Sequence, residues 1–199
     1  TILKTIDEQG KLTPELRQRI TQCWNATELE DIYLPYKPHR KTRADLAREQ
    51  GYEPLDKAIF EQKISLDRIN PGIPVNPGTP NWETALQGAR DIIAEWISQD
   101  EHARNDIRRE FSYTATITTK LIKGKESDPE AQKYRDYFAI NEPLRRISSH
   151  RLLAIRRAES EGFIRVDISP DSEKALDKLA RQFLKNNSDT TYQVELAME

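Results

Sequence analysis

Three features of this sequence predict a mainly α-helical fold. Only seven of its 199 residues are glycine, too few for the many tight turns of an all-β chain. Apolar residues recur at three- and four-residue spacing through most of its length. Helix-start chemistry precedes these runs repeatedly, as Thr13-Pro14, Asn81, Asp128-Pro129 and Ser169-Pro170.

The elements follow in order. In LTPELRQRITQCWN, Thr13 caps and Pro14 takes the first helical position, where its missing N–H costs nothing. Leu16, Ile20, Cys23 and Trp24 then share one face. A second helix starts at Thr27, with Glu30 completing a capping box, and runs to about Leu34, because Pro35 disfavours helical geometry before it. KTRADLAREQG is a short helix capped by Thr42 and closed by Gly51, and EPLDKAIFEQ is another. NPGIPVNPGTP, with its prolines and glycines, is an irregular loop that marks a sub-division near 70–80 of a region otherwise read as continuous over 1–199. The clearest helix is NWETALQGARDIIAEWISQ, capped by Asn81, with Trp82, Ala85, Ala89, Ile92, Ile93 and Trp96 as its buried stripe. A new helix begins at Asp100. The β-branched TATITTKLI reads either as a strand or as extended chain. Helices open at Asp128-Pro129 and at Ser148 or Ser149, the latter ending at Gly162. FIRVDIS alternates apolar and polar residues, which places a small β element near 163–169. Ser169-Pro170 starts a last helix bearing Leu176, Leu179, Phe183 and Leu184.

Composition excludes several function classes. The chain is 36% hydrophobic and 32% charged, and it contains no run of about 18 apolar residues that would span a bilayer. Three Trp, seven Tyr and five Phe in patterned segments exclude disorder. A net charge of -2 means that any nucleic-acid contact must come from a local patch. The single Cys23 and the lack of a basic-then-apolar leader agree with a cytoplasmic location. The chain opens without Met and closes in mid-pattern, as a piece of a longer protein would.

Catalytic chemistry finds little support. His39, His102 and His150 form no metal-binding pair by spacing, no glycine-rich phosphate loop occurs, and Ser148 and Ser149 beside His150 read as helix caps. No catalytic residue, metal ligand or cofactor is expected. Two basic clusters remain as candidate nucleic-acid-binding residues. Lys37, Arg40, Lys41 and Arg43 are flanked by Tyr33 and Tyr36, a mixture suited to phosphates and base stacking. Arg145, Arg146, Arg151, Arg156 and Arg157 form the second cluster. The alternative is that these cations pair with Glu28, Glu30, Asp31, Glu142, Glu159 and Glu161 and hold helices together.

The segment ELEDIYLPYKPHRKTRADLAREQGYEPL resembles the hallmark of the Tex family of bacterial transcription accessory proteins. ALQGARDIIAEWIS, KLIKGKESDPEAQKYRDYF and EPLRRISSHRLLAIRRAESEGFIRVDISPD resemble further stretches of that family in the same order. His39 and Lys41 depart from the basic residue and the arginine usual there. The resemblance implies the N-terminal helical region of a multi-domain cytoplasmic protein that binds nucleic acid and modulates transcription. It also implies that the family's YqgF-like domain and RNA-binding OB-fold domain, which carry the main contacts to RNA or DNA, lie outside this stretch. The expected role is a non-enzymatic scaffold. The alternative is a protein-interaction platform for RNA polymerase or another transcription factor.

Overall fold

The structure, a computed structural model, describes residues 1–69 and 81–199. The Pro/Gly loop and the sub-division expected near 70–80 lie outside the described residues. In chain order the elements are α1 (Ile2–Glu8), α2 (Pro14–Gln22), α3 (Ala26–Tyr33), α4 (Arg43–Glu49), α5 (Glu53–Glu61), α6 (Trp82–Gln99), α7 (Glu101–Thr114), β1 (Thr116–Leu121), β2 (Asn141–Pro143), α8 (Ser149–Ser160), β3 (Ile164–Ser169), α9 (Ser172–Phe183) and α10 (Asp189–Met198). The fold is mainly α, as the sequence predicts. Short 3-10 turns occupy Leu34–Tyr36, Leu66–Arg68, Ala131–Tyr137 and Leu144–Arg146.

Local chemistry explains most boundaries. Thr13 accepts a hydrogen bond from the Leu16 amide, with Pro14 at the first helical position. Thr42 and Asp45 cap each other's amides at the start of α4, and Gly51 follows with φ 81°. The cap of α3 is Asn25, not Thr27: its side chain accepts from both the Thr27 and Glu28 amides. Asn81 and Ser148 stand at the N-caps of α6 and α8 without a side-chain cap bond. Asp171, rather than Ser169, caps α9 by accepting from the Lys174 amide at 3.2 Å. The segment opened by Asp128-Pro129 is a 3-10 turn kinked at Tyr134, not an α-helix.

The chain divides into two compact units, Thr1–Asn105 with Leu179–Glu199, and Asp106–Lys178. In the first, α4, α5 and α10 pack on α6. Leu55, Ile59, Ala85, Ala89, Ile93, Phe183 and Val194 fill its largest core cluster, with Trp82 and Trp96 packed against it. Ala44, Ala47 and Ile92 form a smaller cluster shared by Tyr52 and Trp96. Ile6, Ile20 and Ile32 hold α1 to α3 together, with Leu16 and Cys23 alongside. Trp24 does not join them: it is 95% exposed, because α2 ends at Gln22 and residues beyond it leave the helical period.

Gly88 lets α6 approach α4 and the ring of Tyr52. A Cβ at this position would lie 2.5 Å from Tyr52 Cδ2 and 3.1 Å from Ala47 Cβ. Gly88→Ala gains about 1 kcal/mol of helix propensity but forces an overpacked contact worth about 1–3 kcal/mol. A net loss of stability is expected, read as a lower urea midpoint. A raised midpoint would show that the Tyr52 ring moves aside at no cost.

Gln62 ends α5 in the left-handed region at φ 54° and ties it to the C-terminal segment. Its Nε2 donates to the Phe183 carbonyl at 2.8 Å, and its Oε1 accepts from the Lys185 amide and the Thr191 hydroxyl, each at 2.9 Å. With the second Nε2 hydrogen reaching the Phe60 carbonyl at 3.4 Å, the buried amide side chain is fully used, which removes the cost of hiding it from water.

The second unit is built on a three-stranded antiparallel sheet of order β2-β1-β3. Its register pairs Thr116 with Ser169 and Leu121 with Ile164 across β1 and β3, and Ile117 with Glu142 across β1 and β2. TATITTKLI is therefore a strand, and the element near 163–169 is its partner. Ile117, Ile155, Ala158, Phe163 and Ile164 form the core between sheet and α8. The buried Thr119 hydroxyl donates to the Tyr137 carbonyl at 2.6 Å and accepts from the Ile140 amide at 2.9 Å, fixing the segment that leads into β2.

Candidate nucleic-acid interface

The corner at YLPYKPHRKTR is built by proline and tyrosine. Pro35 ends α3 and shifts the chain into the Leu34–Tyr36 turn, while Tyr33 and Tyr36 pack against Ile6, Ile20 and Ile32. Gln9 Nε2 donates to the Tyr36 carbonyl at 2.7 Å. Beneath it, the buried Asp31 carboxylate accepts from Arg104 Nε at 2.6 Å. Both tyrosines are thus partly committed to packing.

Three of this cluster's four cations face an acid. Lys37 Nζ lies 2.7 Å from Glu30 and Lys41 Nζ 2.6 Å from Glu49. Arg43 reaches Asp91 at 3.8 Å with its side chain 84% exposed. Arg40 is exposed and makes no ion pair among the described residues. The Glu30 carboxylate, by hydrogen bond and charge, raises the Lys37 ammonium above its usual range.

The arginine cluster in the second unit is less balanced. Arg151 pairs with Glu142 at 2.9 Å, and Arg156 pairs with Glu159 one helical turn on. Arg145 and Arg146 on the Leu144–Arg146 turn, and Arg157 on α8, are exposed and make no ion pair among the described residues. Glu161 accepts from the Tyr134 hydroxyl at 2.9 Å rather than pairing with Arg157. Leu153 stands 71% exposed on the same helix. Ser148 Oγ lies 3.3 Å from His150 Nε2 in place of a capping bond. The two clusters belong to different units.

One grouping has no signal in the sequence. His39 and Asp45 come together with Glu95, which α6 brings from far along the chain, their ligand atoms all within 4.8 Å of one another. Arg48 bridges the two carboxylates, at 3.2 Å from Asp45 and 2.6 Å from Glu95. Donation from the Thr42 amide and hydroxyl holds the Asp45 carboxyl down to about 2. The Lys37 carbonyl and then Asp45 raise the His39 imidazole above its usual value. Only the Thr42–Asp45 spacing, a capping-box pattern, is visible in the sequence.

These features define a mainly helical region that carries local basic clusters in a chain of near-balanced charge, and no helix among the described residues is long and apolar enough to cross a membrane. The chain belongs to the Tex family: residues 68–198 match the family model described as Tex central region-like. It is similar to Protein tex of Bordetella pertussis, 41% identical over 180 residues, covering 86% of this chain and 22% of that protein. It is also similar to Transcriptional accessory protein Tex of Neisseria gonorrhoeae, 40% identical over 166 residues, covering 83% and 22%. A more distant relative is S1 RNA-binding domain-containing protein 1 of Homo sapiens, 25% identical over 189 residues, covering 92% and 19%. The chain thus spans about a fifth of the length of these relatives.

Proposed function

We propose that this region is a non-enzymatic helical scaffold of a cytoplasmic bacterial transcription accessory protein, and that it touches nucleic acid weakly through the arginines around α8. The observation that carries this reading is the difference between the clusters. Lys37, Lys41 and Arg43 face acids, whereas Arg145, Arg146 and Arg157 have none among the described residues. Unpaired exposed cations release counterions from a phosphate backbone without first giving up an intramolecular partner. The names of the relatives, one a transcriptional accessory protein and one an S1 RNA-binding domain-containing protein, support transcription as the setting and RNA as the first probe.

The test is binding of the chain to single-stranded RNA and to single- and double-stranded DNA across a salt series. Changing Arg145, Arg146 and Arg157 to Gln should weaken binding and flatten its salt slope by roughly 0.7–0.9 for each phosphate no longer neutralised. Changing Lys37, Arg40, Lys41 and Arg43 to Gln should have the smaller effect on binding and lower the melting temperature only slightly, since these pairs are exposed. Binding is expected at low salt and should fade near physiological ionic strength, since the available cations are few and net charge is -2. Sub-micromolar affinity at physiological salt would overturn the scaffold reading.

The exposed Leu153 among these arginines favours a second reading, a platform for a protein of the transcription machinery. Leu153→Ser separates the two: it should leave RNA binding unchanged but abolish binding to a protein partner.

A further inference from the structure

The imidazole of His39 lies between two acceptors. Its Nδ1 is 3.1 Å from the Lys37 carbonyl oxygen, which can only accept, so Nδ1 carries a hydrogen. The neutral ring then presents a lone pair at Nε2. That nitrogen faces Asp45 Oδ2 at 3.0 Å. Oδ2 also accepts from the Thr42 amide and hydroxyl, each at 2.9 Å. Nε2 and Oδ2 therefore share either a hydrogen or a metal ion.

Glu95 adds a third donor at the same point. Its Oε2 lies 3.4 Å from the Thr42 hydroxyl that also reaches Asp45 Oδ2. Arg48 holds the other oxygens, Asp45 Oδ1 and Glu95 Oε1, at 3.2 and 2.6 Å, so a metal at this point would share Oδ2 and Oε2 with the Thr42 donors. Metal-bound histidines are commonly oriented in this way, with the second ring nitrogen donating to a carbonyl. Beside the three residues lies a cavity of about 230 Å³, lined by His39, Thr42 and Glu95 among others, with room for a water as fourth ligand.

We propose that His39 Nε2, Asp45 Oδ2 and Glu95 Oε2 form a binding site for a transition-metal dication of the zinc class. One imidazole and two carboxylates suit Zn²⁺ and Co²⁺ better than Mg²⁺ or Ca²⁺, which favour oxygen ligands alone. Ligand bonds of about 2.0–2.2 Å place neighbouring donor atoms roughly 3.3–3.6 Å apart in a tetrahedron, so His39 Nε2 and Asp45 Oδ2 need part only slightly from 3.0 Å, and Glu95, within 4.8 Å of both, must move in by no more than about 1.5 Å. Arg48 leaves the site with a net charge of one negative unit, which keeps affinity in the micromolar rather than the nanomolar range. The metal would fix the loop before α4 to α6, joining three parts of the same unit.

The experiment is calorimetric titration of zinc sulfate into the 199-residue chain, with cobalt absorption spectra to report coordination. Single-site binding is expected, weakened on the order of tenfold or more in His39→Ala and in Glu95→Gln, and unchanged in His102→Ala and His150→Ala. Glu95→Gln also disturbs the Arg48 pair, so its metal-free melting curve is recorded first. His39→Ala keeps the test decisive if that variant fails to fold, because the His39 side chain is 46% exposed and lies outside the Thr42–Asp45 capping pair. Zinc affinity unchanged in His39→Ala, or no heat of binding from the unaltered chain at high micromolar zinc, would overturn the proposal.

Discussion

Replacing the half-buried Trp96 by Ala is expected to destabilise the first unit by about 2–4 kcal/mol, less than the loss of a fully buried ring. Trp96 lies fourteen residues after Trp82, nearly four turns along α6, and both rings pack against the main core cluster. Trp96 also reaches the smaller cluster of Ala44, Ala47 and Ile92, so its removal opens space in two places. Its ring meets Phe60 edge-on, with centroids 5.5 Å apart and planes at 71°, a geometry worth about 0.5–1.5 kcal/mol beyond burial. For a chain of this size each kcal/mol moves the midpoint by roughly 2–4 °C, so a drop of roughly 10 °C is expected. Far-UV circular dichroism is the appropriate probe, since the substitution removes a fluorophore. With two compact units the melt need not be two-state, and the shift belongs to the transition that α4, α5 and α6 share. An unchanged melting curve would mean that this face of α6 is not the one that holds the unit together.

The parts of this fold that are legible in sequence are those specified by neighbours along the chain. Thr13 and Thr42 each act on an amide three residues away, so their helices start where the residues say. Asn25 is hidden by a competing local signal. Thr27 and Glu30 have the spacing of a capping box, but Asn25 Oδ1 reaches two amides at once and starts the helix earlier. A helical period continued past the true end of α2 puts Trp24 on a buried face that the chain has already left. The strand Asn141–Pro143 has three residues and carries no alternation to read; only its pairing with β1 makes it a strand. Charges are visible in the sequence, and so are partners close along the chain, Glu30 for Lys37, Glu142 for Arg151 and Glu159 for Arg156, but partners brought by packing are not. Asp91 and Glu95 on α6 meet Arg43 and Arg48 on α4 through helix packing, which no local pattern encodes.

The contribution of Asp56 to the stability of this chain is expected to fall as pH rises from about 4 to 7, and to level off above that. The Asp56 side chain is 0% exposed in α5, and its Oδ2 has no hydrogen-bond partner among the described residues. Oδ1 accepts from the neighbouring Lys57 amide, at 2.6 Å. Burial pushes its pKa from 3.8 up to about 7, aided by the charge of Glu53 and opposed by the Lys57 amide bond and by the charges of Lys57 and Arg48. In the unfolded chain the carboxyl releases its proton near pH 4. Between these values the folded state holds a proton that the unfolded state does not, so stability declines with pH. A shift of about three units corresponds to about 4 kcal/mol at most, at about 1.4 kcal/mol per unit. Below the unfolded value the whole contribution is present; above the folded value it is gone. Asp56→Asn keeps the shape and the acceptor for the Lys57 amide while removing the titration. Its urea midpoint should stay level between pH 5 and pH 8 relative to that of the unaltered chain, so the variant overtakes the parent as pH rises. Parallel pH profiles for the two proteins would show instead that Asp56 is already ionised in the folded state at pH 5, satisfied by Arg48 and Lys57.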